Sequence, residues 1–205
     1  MKVIEKKNAS RVSILVLALV LSLALVGCGG KTQKKKTKTA EGDPKVCITV
    51  KDYGKIYVQL ESKYAPETVS NFINLVHKKF YDGLTFHRII NGFMIQGGDP
   101  KGDGTGGSDK TIKGEFKANG VENKLSHKRG VISMARSQNY NSASSQFFIM
   151  QKTTTSLDGQ YASFGYVTKG MSVVDKIAES VKTQNYNGTV AKKNQPVITS
   201  IREVK

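Results

Sequence analysis

The chain has 205 residues and a net charge of +16, from 32 Lys and Arg residues against 16 Asp and Glu residues. This length suits one ordinary domain with an appendage, and a hydrophobic fraction of 38% excludes a protein with many membrane spans. The basic excess is compatible with nucleic acid, anionic lipid or acidic wall polymers, and its sign alone does not choose among them.

The amino terminus has the pattern of a bacterial lipoprotein signal peptide over residues 1–27. Basic residues from Lys2 to Arg11 precede the apolar run Val12–Val26, which is shorter than the roughly 20 residues of a bilayer span. The run leads into Leu25-Val26-Gly27-Cys28, which resembles a lipobox: a small residue precedes the cut, and a thiol accepts the diacylglyceryl group. We predict that Cys28 is lipidated and carries acyl chains such as palmitate. The alternative is an uncleaved anchor helix with a chance cysteine.

The segment 28–44 after the signal peptide reads as a lysine-rich linker. Its lysines stand among Thr and Gln with no apolar residue to bury, which favours disorder. Two interpretations stay open: the linker lies against anionic lipid headgroups, which attract basic residues, or it is a solvated tether.

The pattern becomes globular at Lys45, and residues 45–205 are predicted to form one domain. Apolar residues alternate with polar ones over Val46–Val50 and Ile56–Leu60, which predicts two strands joined by a turn at Asp52-Tyr53-Gly54. Ala65-Pro66-Glu67 then begins a helix, because Pro is tolerated at the first helical position and Glu suits the positive end of the helix dipole.

Six further apolar or alternating runs are separated by glycine-rich loops. They are Phe86–Ile90, Phe93–Gln96, Val131–Ala135, Phe147–Gln151, Tyr161–Val167 and Val197–Val204. A second short helix is predicted from about Ser172 to Ala178. Many short strands with two helices indicate a closed β-barrel or a sandwich.

Three sequence blocks resemble the cyclophilin family of peptidyl-prolyl cis–trans isomerases. They are Phe86–Asp99 (FHRIINGFMIQGGD), Gly130–Ile149, and Leu157-Asp158-Gly159 followed by Phe164-Gly165. Their order and spacing match over roughly Lys45 to Val204. The resemblance implies a mainly β fold, a closed eight-stranded antiparallel barrel capped by two α-helices. It also implies isomerase (rotamase) activity on X-Pro segments of unfolded or exported polypeptides, with no cofactor and no metal.

The resemblance assigns roles to individual residues. Arg88 matches the catalytic arginine. The positions that match the substrate-binding residues are Phe93, Met94, Gln96, Gly104, Thr105, Ala135, Arg136, Ser137, Gln146, Phe148, Leu157 and Tyr161. Gln96 and Gln146 correspond to polar residues that bind the substrate backbone or orient the arginine, and Gly104 and Thr105 to a loop that borders the site. Phe93, Met94, Phe148 and Leu157 are expected to form the proline pocket, because aromatic faces and an adaptable Met suit a compact apolar ring.

Three positions depart from the family pattern. Arg136 replaces a common Asn and adds positive charge at the rim, from which we expect a mild preference for acidic or polar residues before proline. Ser156 stands where many members carry Trp, which implies weaker binding of cyclosporin-type inhibitors. Tyr161 replaces a common His and can still stack and donate a hydrogen bond.

Other signals are weaker. Gly102–Gly107 contains a GxGxxG match without the helix that dinucleotide binding needs, and we interpret it as a flexible loop. Cys47 is expected to be a reduced, buried thiol in the first strand, and each of His77, His87 and His127 to be structural rather than a ligand.

We expect a monomer on the extracytoplasmic face of the cell membrane, anchored by lipid, with a Gram-positive source favoured and no nucleic-acid partner. The rival function is a cyclophilin-fold binding module or holdase that grips unfolded exported chains without turnover.

Overall fold

The computed structural model describes residues 42–205. In this part of the chain the secondary structure consists of eight strands and two α-helices: β1 Lys45–Val50, β2 Gly54–Leu60, α1 Pro66–His77, β3 Thr85–Ile90, β4 Met94–Asp99, β5 Val131–Met134, β6 Phe147–Met150, β7 Ser163–Lys169, α2 Met171–Ser180 and β8 Ile198–Val204. The mainly β class is confirmed, and each strand and helix lies within a few residues of its predicted position. The predicted signal peptide, Cys28 and nearly all of the linker lie outside the described residues.

The strands form one antiparallel sheet in the order β3-β4-β6-β5-β7-β2-β1-β8. The sheet curls until its two edges approach each other, where an isolated bridge pairs Thr85 with Val197. Beside the bridge, the Ile198 N–H donates to the Leu84 carbonyl at 2.7 Å. Within residues 42–205, β3 and β8 form no ladder. The fold is therefore an open, curled half-barrel, and the closed barrel that the resemblance implies is not confirmed.

The first hairpin shows why alternation predicts the strands well. Val46 and Ile48 of β1 pair with Val58 and Ile56 of β2, and all four side chains are buried. Period-two alternation places them on one face of the sheet, and burial of that face drives the hairpin against the core. At the other end of β2, the Leu60 N–H donates to the Pro44 carbonyl at 2.9 Å. The hydrogen-bonded region thus begins before the predicted boundary at Lys45.

Helix α1 begins at Pro66 as predicted, but its amino-terminal cap comes from a distant residue. Ala65, the residue before the helix, has no side chain that could accept a hydrogen bond. The buried Glu115 carboxylate accepts from the backbone N–H groups of Glu67 and Thr68 at 3.0 and 2.8 Å, and from the Thr68 hydroxyl at 2.7 Å. A carboxylate here satisfies otherwise unpaired donors and complements the helix dipole.

The main core lies between the inner face of the sheet and the two helices. Its centre is a group of aromatic rings in which Phe72 of α1 packs on Tyr81, Phe147 and Phe164, with centroid distances of 5.1, 5.6 and 5.2 Å. Such pairs add a favourable edge or tilted geometry to the burial of large apolar surfaces. Val174 and Ile177 attach α2 to the same core.

The glycine-rich segment 102–107 is a loop, as predicted, and it follows a buried carboxylate. Asp99, at the end of β4, is 1% exposed, and its carboxylate accepts from the backbone N–H groups of Lys101 at 2.8 Å and Gly104 at 2.6 Å. Burial acts to raise the pKa of Asp99, but backbone N–H donors of the loop outweigh it and lower that pKa. The loop thus wraps around a buried acceptor, which the sequence did not predict.

Two smaller observations complete the fold. Cys47 is a free and buried thiol in β1, as expected. Over residues 42–205, no helix has both the length and the apolar character needed to cross a membrane.

Candidate active site

The adjacent strands β4, β6 and β5 carry apolar side chains on both of their faces. In β6, Phe147 and Ile149 point into the main core, whereas Phe148 and Met150 point to the outer face. The outer residues join Met94 of β4 in a second, smaller apolar cluster. The run of four apolar residues in β6 thus reflects a strand that is buried on both sides.

This outer cluster surrounds a cavity of about 210 Å³. The cavity brings together nine residues that were predicted from the sequence: Arg88, Phe93, Met94, Gln96, Ala135, Arg136, Phe148, Leu157 and Tyr161. They come from β3, β4, β6 and from the segments that follow β5 and precede β7. Most of the lining residues are apolar. Two guanidinium groups, those of Arg88 and Arg136, also lie in the lining.

Arg88 lies on β3, opposite Gln96 of β4 in the sheet register. Its Nη1 donates to Gln96 Oε1 at 3.1 Å, and its Nε donates to the Asn187 backbone carbonyl at 2.8 Å. The guanidinium is therefore held from two sides at the edge of the cavity. Asn187 was not predicted from the sequence, because a backbone carbonyl carries no residue-type signature.

A pair of glutamines extends this support behind the cavity. Gln96 Nε2 donates to Gln146 Oε1 at 2.9 Å, and Gln146 Nε2 donates to the carbonyls of Gly104 and Gly106 at 3.1 and 2.7 Å. Gln146 and Gly104 do not line the cavity and thus hold the position of Gln96. Of the two roles expected for Gln146, the geometry favours orientation of the arginine, which acts here through Gln96.

Two other predicted site residues also lie outside the cavity lining. The Thr105 hydroxyl and backbone N–H both bond to Asp103, at 2.7 and 2.9 Å. Ser137 is exposed, and its hydroxyl lies 2.8 Å from that of Ser142. Both residues therefore belong to loops that border the cavity.

The chain matches the family model described as cyclophilin type peptidyl-prolyl cis-trans isomerase/CLD over residues 45–203. The chain belongs to the cyclophilin family. Its class of activity is therefore isomerisation of the peptide bond that precedes proline.

Curated relatives and solved structures agree. A peptidyl-prolyl cis-trans isomerase of Helicobacter pylori is 47% identical over 128 residues, which cover 62% of this chain and 76% of that protein. Peptidyl-prolyl cis-trans isomerase B of Bacillus subtilis is 44% identical over 122 residues, covering 60% of this chain and 82% of that protein. The crystal structure of a cyclophilin type isomerase of Cryptosporidium parvum has a TM-score of 0.69 and 29% identity, covering 78% of this chain and 99% of that one.

The floor of this cyclophilin's cavity rests on a buried polar chain. Phe148 stacks on the imidazole of His127 with centroids 6.0 Å apart and 12° between the planes. His127 Nδ1 lies 2.8 Å from Asp158 Oδ1, and its Nε2 lies 3.1 Å from the hydroxyls of Ser133 and Ser163.

This Ser-His-Asp arrangement resembles a nucleophilic triad in connectivity only. Ser133 is 0% exposed and Ser163 is 1% exposed, so neither hydroxyl can meet a substrate. The network therefore orients the His127 ring beneath Phe148, which supports the expectation that His127 is structural. The sequence did not pair these residues, since Asp158 is separated from His127 by 31 positions.

His87 is the second buried imidazole near the site. It is 4% exposed, and neither ring nitrogen has a hydrogen-bond partner among the described residues. Burial lowers the pKa of His87, and the nearby Asp99 carboxylate only partly opposes that shift.

Burial also lowers the pKa of His127, although the hydrogen bond that His127 makes to the Asp158 carboxylate opposes the shift. In unfolded protein an imidazole titrates near about 6.5. As the pH falls through that value, the unfolded chain takes up protons that the folded His87 and His127 resist, so the free energy of unfolding must decrease.

We therefore expect the wild-type protein to lose stability between pH of about 7.5 and about 5.5, and to lose less when His127→Gln removes one of the two groups. Urea unfolding at both pH values measures this. Lys51→Gln, at an exposed residue in the turn after β1, removes no imidazole, so it is the control and should keep the wild-type pH dependence. Equal pH dependence in His127→Gln and wild type would contradict the assignment.

A larger cavity of about 610 Å³ lies at the carboxyl end of β3, where it is lined by Ile89, Asn91, Glu179 and Tyr186 among others. None of the predicted site residues lines it. Within the described residues, no group of three or more His, Cys, Asp or Glu side chains could hold a metal ion.

Proposed function

We propose that this cyclophilin isomerises X-Pro bonds of exported polypeptides at the outer surface of the cytoplasmic membrane, with Arg88 as its catalytic residue. The observation that carries the proposal is the position of the Arg88 guanidinium, which is fixed by Gln96 and by the Asn187 carbonyl at the edge of an apolar cavity of proline size.

The chemistry follows from the nature of the barrier. Resonance gives the peptide C–N bond partial double-bond character, and rotation costs about 18–20 kcal/mol. In an X-Pro bond both isomers are populated, but they exchange in tens of seconds or longer without help. A catalyst therefore has to hold the proline ring and weaken the resonance of its amide.

In the proposed mechanism, the apolar cavity formed by Phe93, Met94, Phe148 and Leu157 binds the proline ring. The Arg88 guanidinium then faces the prolyl nitrogen and draws its lone pair out of conjugation with the carbonyl. Such a charge stabilises the transition state effectively because it is oriented before the reaction begins. Partial burial lowers the pKa of Arg88 below its ordinary value, but a guanidinium stays protonated throughout the working range.

X-Pro peptides are the proposed ligands of the cavity. The Cryptosporidium parvum relative was crystallised in the presence of the dipeptide Ala-Pro, which supports proline-containing peptides as ligands of this chain as well. We also propose that cyclosporin-type inhibitors bind weakly. Ser156 is exposed beside Leu157 of the cavity and offers no large apolar surface at that edge.

The membrane location rests on the amino-terminal sequence. The segment Leu25-Val26-Gly27-Cys28 has the lipobox pattern, and 41 residues precede the described part of the chain. Two or three acyl chains would hold the protein firmly, because each buried methylene contributes about 0.8 kcal/mol. The enzyme would then act where newly exported chains fold.

Mass spectrometry of the mature protein tests this location. We expect the mature chain to begin at Cys28 and to carry the added mass of a diacylglyceryl group with its acyl chains. In the Cys28→Ser variant we expect that mass to be absent and the protein to leave the membrane fraction, while Cys47→Ser should stay membrane-bound. An unmodified Cys28 or an intact signal segment in the wild type would refute the anchor.

A further inference from the structure

Arg136 lines the rim of the cavity directly after Ala135, where the chain leaves β5, and three of its five N–H donors bond to the protein itself. Its Nε and Nη2 both donate to the Gln160 carbonyl, at 3.0 and 2.9 Å, and its Nη1 donates to the Ser137 carbonyl at 2.8 Å. One side chain thereby ties the loop after β5 to the segment that precedes β7.

Three aromatic rings surround the same guanidinium. The Cζ atom of Arg136 lies 5.1 Å from the ring centroid of Phe116, 4.8 Å from that of Tyr140 and 4.7 Å from that of Tyr161. All three distances fall within the range of about 6 Å at which a cation is attracted to an aromatic face. A guanidinium is suited to this position because it is planar and more weakly hydrated than an ammonium group.

The contact with Tyr161 connects Arg136 to the substrate cavity. Tyr161 lines the cavity, and its ring packs edge-on against Phe148 with centroids 5.8 Å apart and an interplanar angle of 87°. The other two rings anchor the assembly, because Phe116 is only 1% exposed and packs edge-on against Tyr140 at 5.3 Å. Movement of Arg136 would therefore release one wall of the cavity.

We propose that Arg136 is a positioning residue that fixes Tyr161 as a wall of the proline cavity, and that its charge is satisfied internally and does not select substrates by charge. This inference rests on the proposed role of the cavity. It replaces the sequence-based expectation that Arg136 favours acidic residues before proline, because the guanidinium already bonds to two backbone carbonyls and lies among three aromatic rings.

The conservative substitution separates the two roles. Lysine retains the positive charge, but it cannot donate to two carbonyls in the geometry of a planar fork or stack between rings. A positioning role therefore predicts that Arg136→Lys behaves like the neutral Arg136→Gln. A charge-sensing role predicts that Arg136→Lys behaves like the wild type.

The test measures kcat and KM of the full chain on three peptides that differ only in having Glu, Ala or Lys before proline. For both Arg136→Lys and Arg136→Gln we expect KM to rise about fivefold on all three peptides, with kcat within about twofold of the wild type, since a loosened wall weakens binding of substrate and transition state alike. The exposed Lys51→Gln, in the turn after β1, removes one charge as a control and should leave both constants unchanged.

A double variant provides a second readout. If Arg136 acts through Tyr161, Tyr161→Leu should raise KM to a similar extent, and Arg136→Gln combined with Tyr161→Leu should be no worse than either single change. Tyr161→Phe retains the aromatic face on which the cation–π contact depends, so its KM should rise less than that of Tyr161→Leu.

Three outcomes would overturn the inference: wild-type KM in Arg136→Lys with a lost preference for the Glu peptide in Arg136→Gln, wild-type KM in both variants, or fully additive effects in the double variant. Arg88→Ala, measured in parallel, distinguishes this failure from failure of the proposed function. If Arg88→Ala stays fully active, the assignment of the cavity itself is wrong.

Discussion

Replacing Arg88 with Ala is expected to lower kcat/KM by a factor of about 10² to 10³, which is the usual cost of losing one preorganised electrostatic group in an active site. In the proposed mechanism kcat/KM falls because the apolar cavity for the proline ring remains, while the charge assigned to the prolyl nitrogen is lost. The measurement is a protease-free isomerisation assay on an X-Pro peptide.

Two control variants make the result specific. Arg88→Lys keeps the charge but cannot bond to Gln96 and to the Asn187 carbonyl in the same geometry, so we expect it to recover only part of the lost rate. Lys101→Ala, an exposed cation in the loop after β4, should retain the wild-type rate. An Arg88→Ala protein that folds normally and keeps its full rate would contradict the assignment.

Replacing Phe148 with Ala is expected to cost about 3–5 kcal/mol of unfolding free energy, the largest stability effect that we predict near the site. Phe148 is 5% exposed and fills the space between His127 and Tyr161. Its removal leaves a void in the outer cluster and removes the side chain that forms the floor of the cavity. Urea unfolding gives the free energy, and the assay should show a raised KM in the protein that remains folded.

Two control variants accompany this prediction: one keeps an apolar side chain at position 148, and the other removes an aromatic ring elsewhere in the sheet. Phe148→Leu retains an apolar side chain and should lose less stability than Phe148→Ala. Tyr166→Ala removes an aromatic ring that is 39% exposed, and it should change the unfolding free energy by no more than about 0.5 kcal/mol. A loss below about 1 kcal/mol in Phe148→Ala would show that the outer cluster is not a packed element.

The sequence was informative wherever periodicity reflects burial. Strands such as β1 and β2 alternate because one face meets the core, and α1 begins at a proline followed by a glutamate. Whether the sheet closes into a barrel was not predictable in this way, because closure depends on whether the residues near Thr85 and Val197 form a ladder or a single bridge.

Contacts between distant residues were the main features that the sequence did not predict. Glu115 caps α1 across 47 positions from Thr68, and Asp99 organises a loop that reads as flexible from its glycines. Neither carboxylate stands out by residue type or spacing. In each case the deciding fact is a buried acceptor that meets backbone donors.

The residues of the site show the same difference between local sequence patterns and contacts across the fold. The motif matches correctly predicted that the residues lining the cavity, among them Arg88 and Tyr161, lie close together. They left two roles open for Gln146, and they did not reveal that the Arg136 guanidinium lies among three rings. Such differences between lining a cavity and supporting it depend on side-chain direction, which one sequence does not specify.

The most direct test of the central claim is a magnetisation-exchange NMR measurement on an Ala-Pro peptide with catalytic amounts of the protein. A catalyst speeds cis-to-trans and trans-to-cis exchange and leaves the populations unchanged, whereas a binding module in such small amounts leaves the exchange at its uncatalysed rate. We predict faster exchange with unchanged populations for the wild type, and near-background exchange for Arg88→Ala. Wild-type protein that leaves exchange at the background rate, or Arg88→Ala protein that speeds exchange as well as the wild type, would contradict the account.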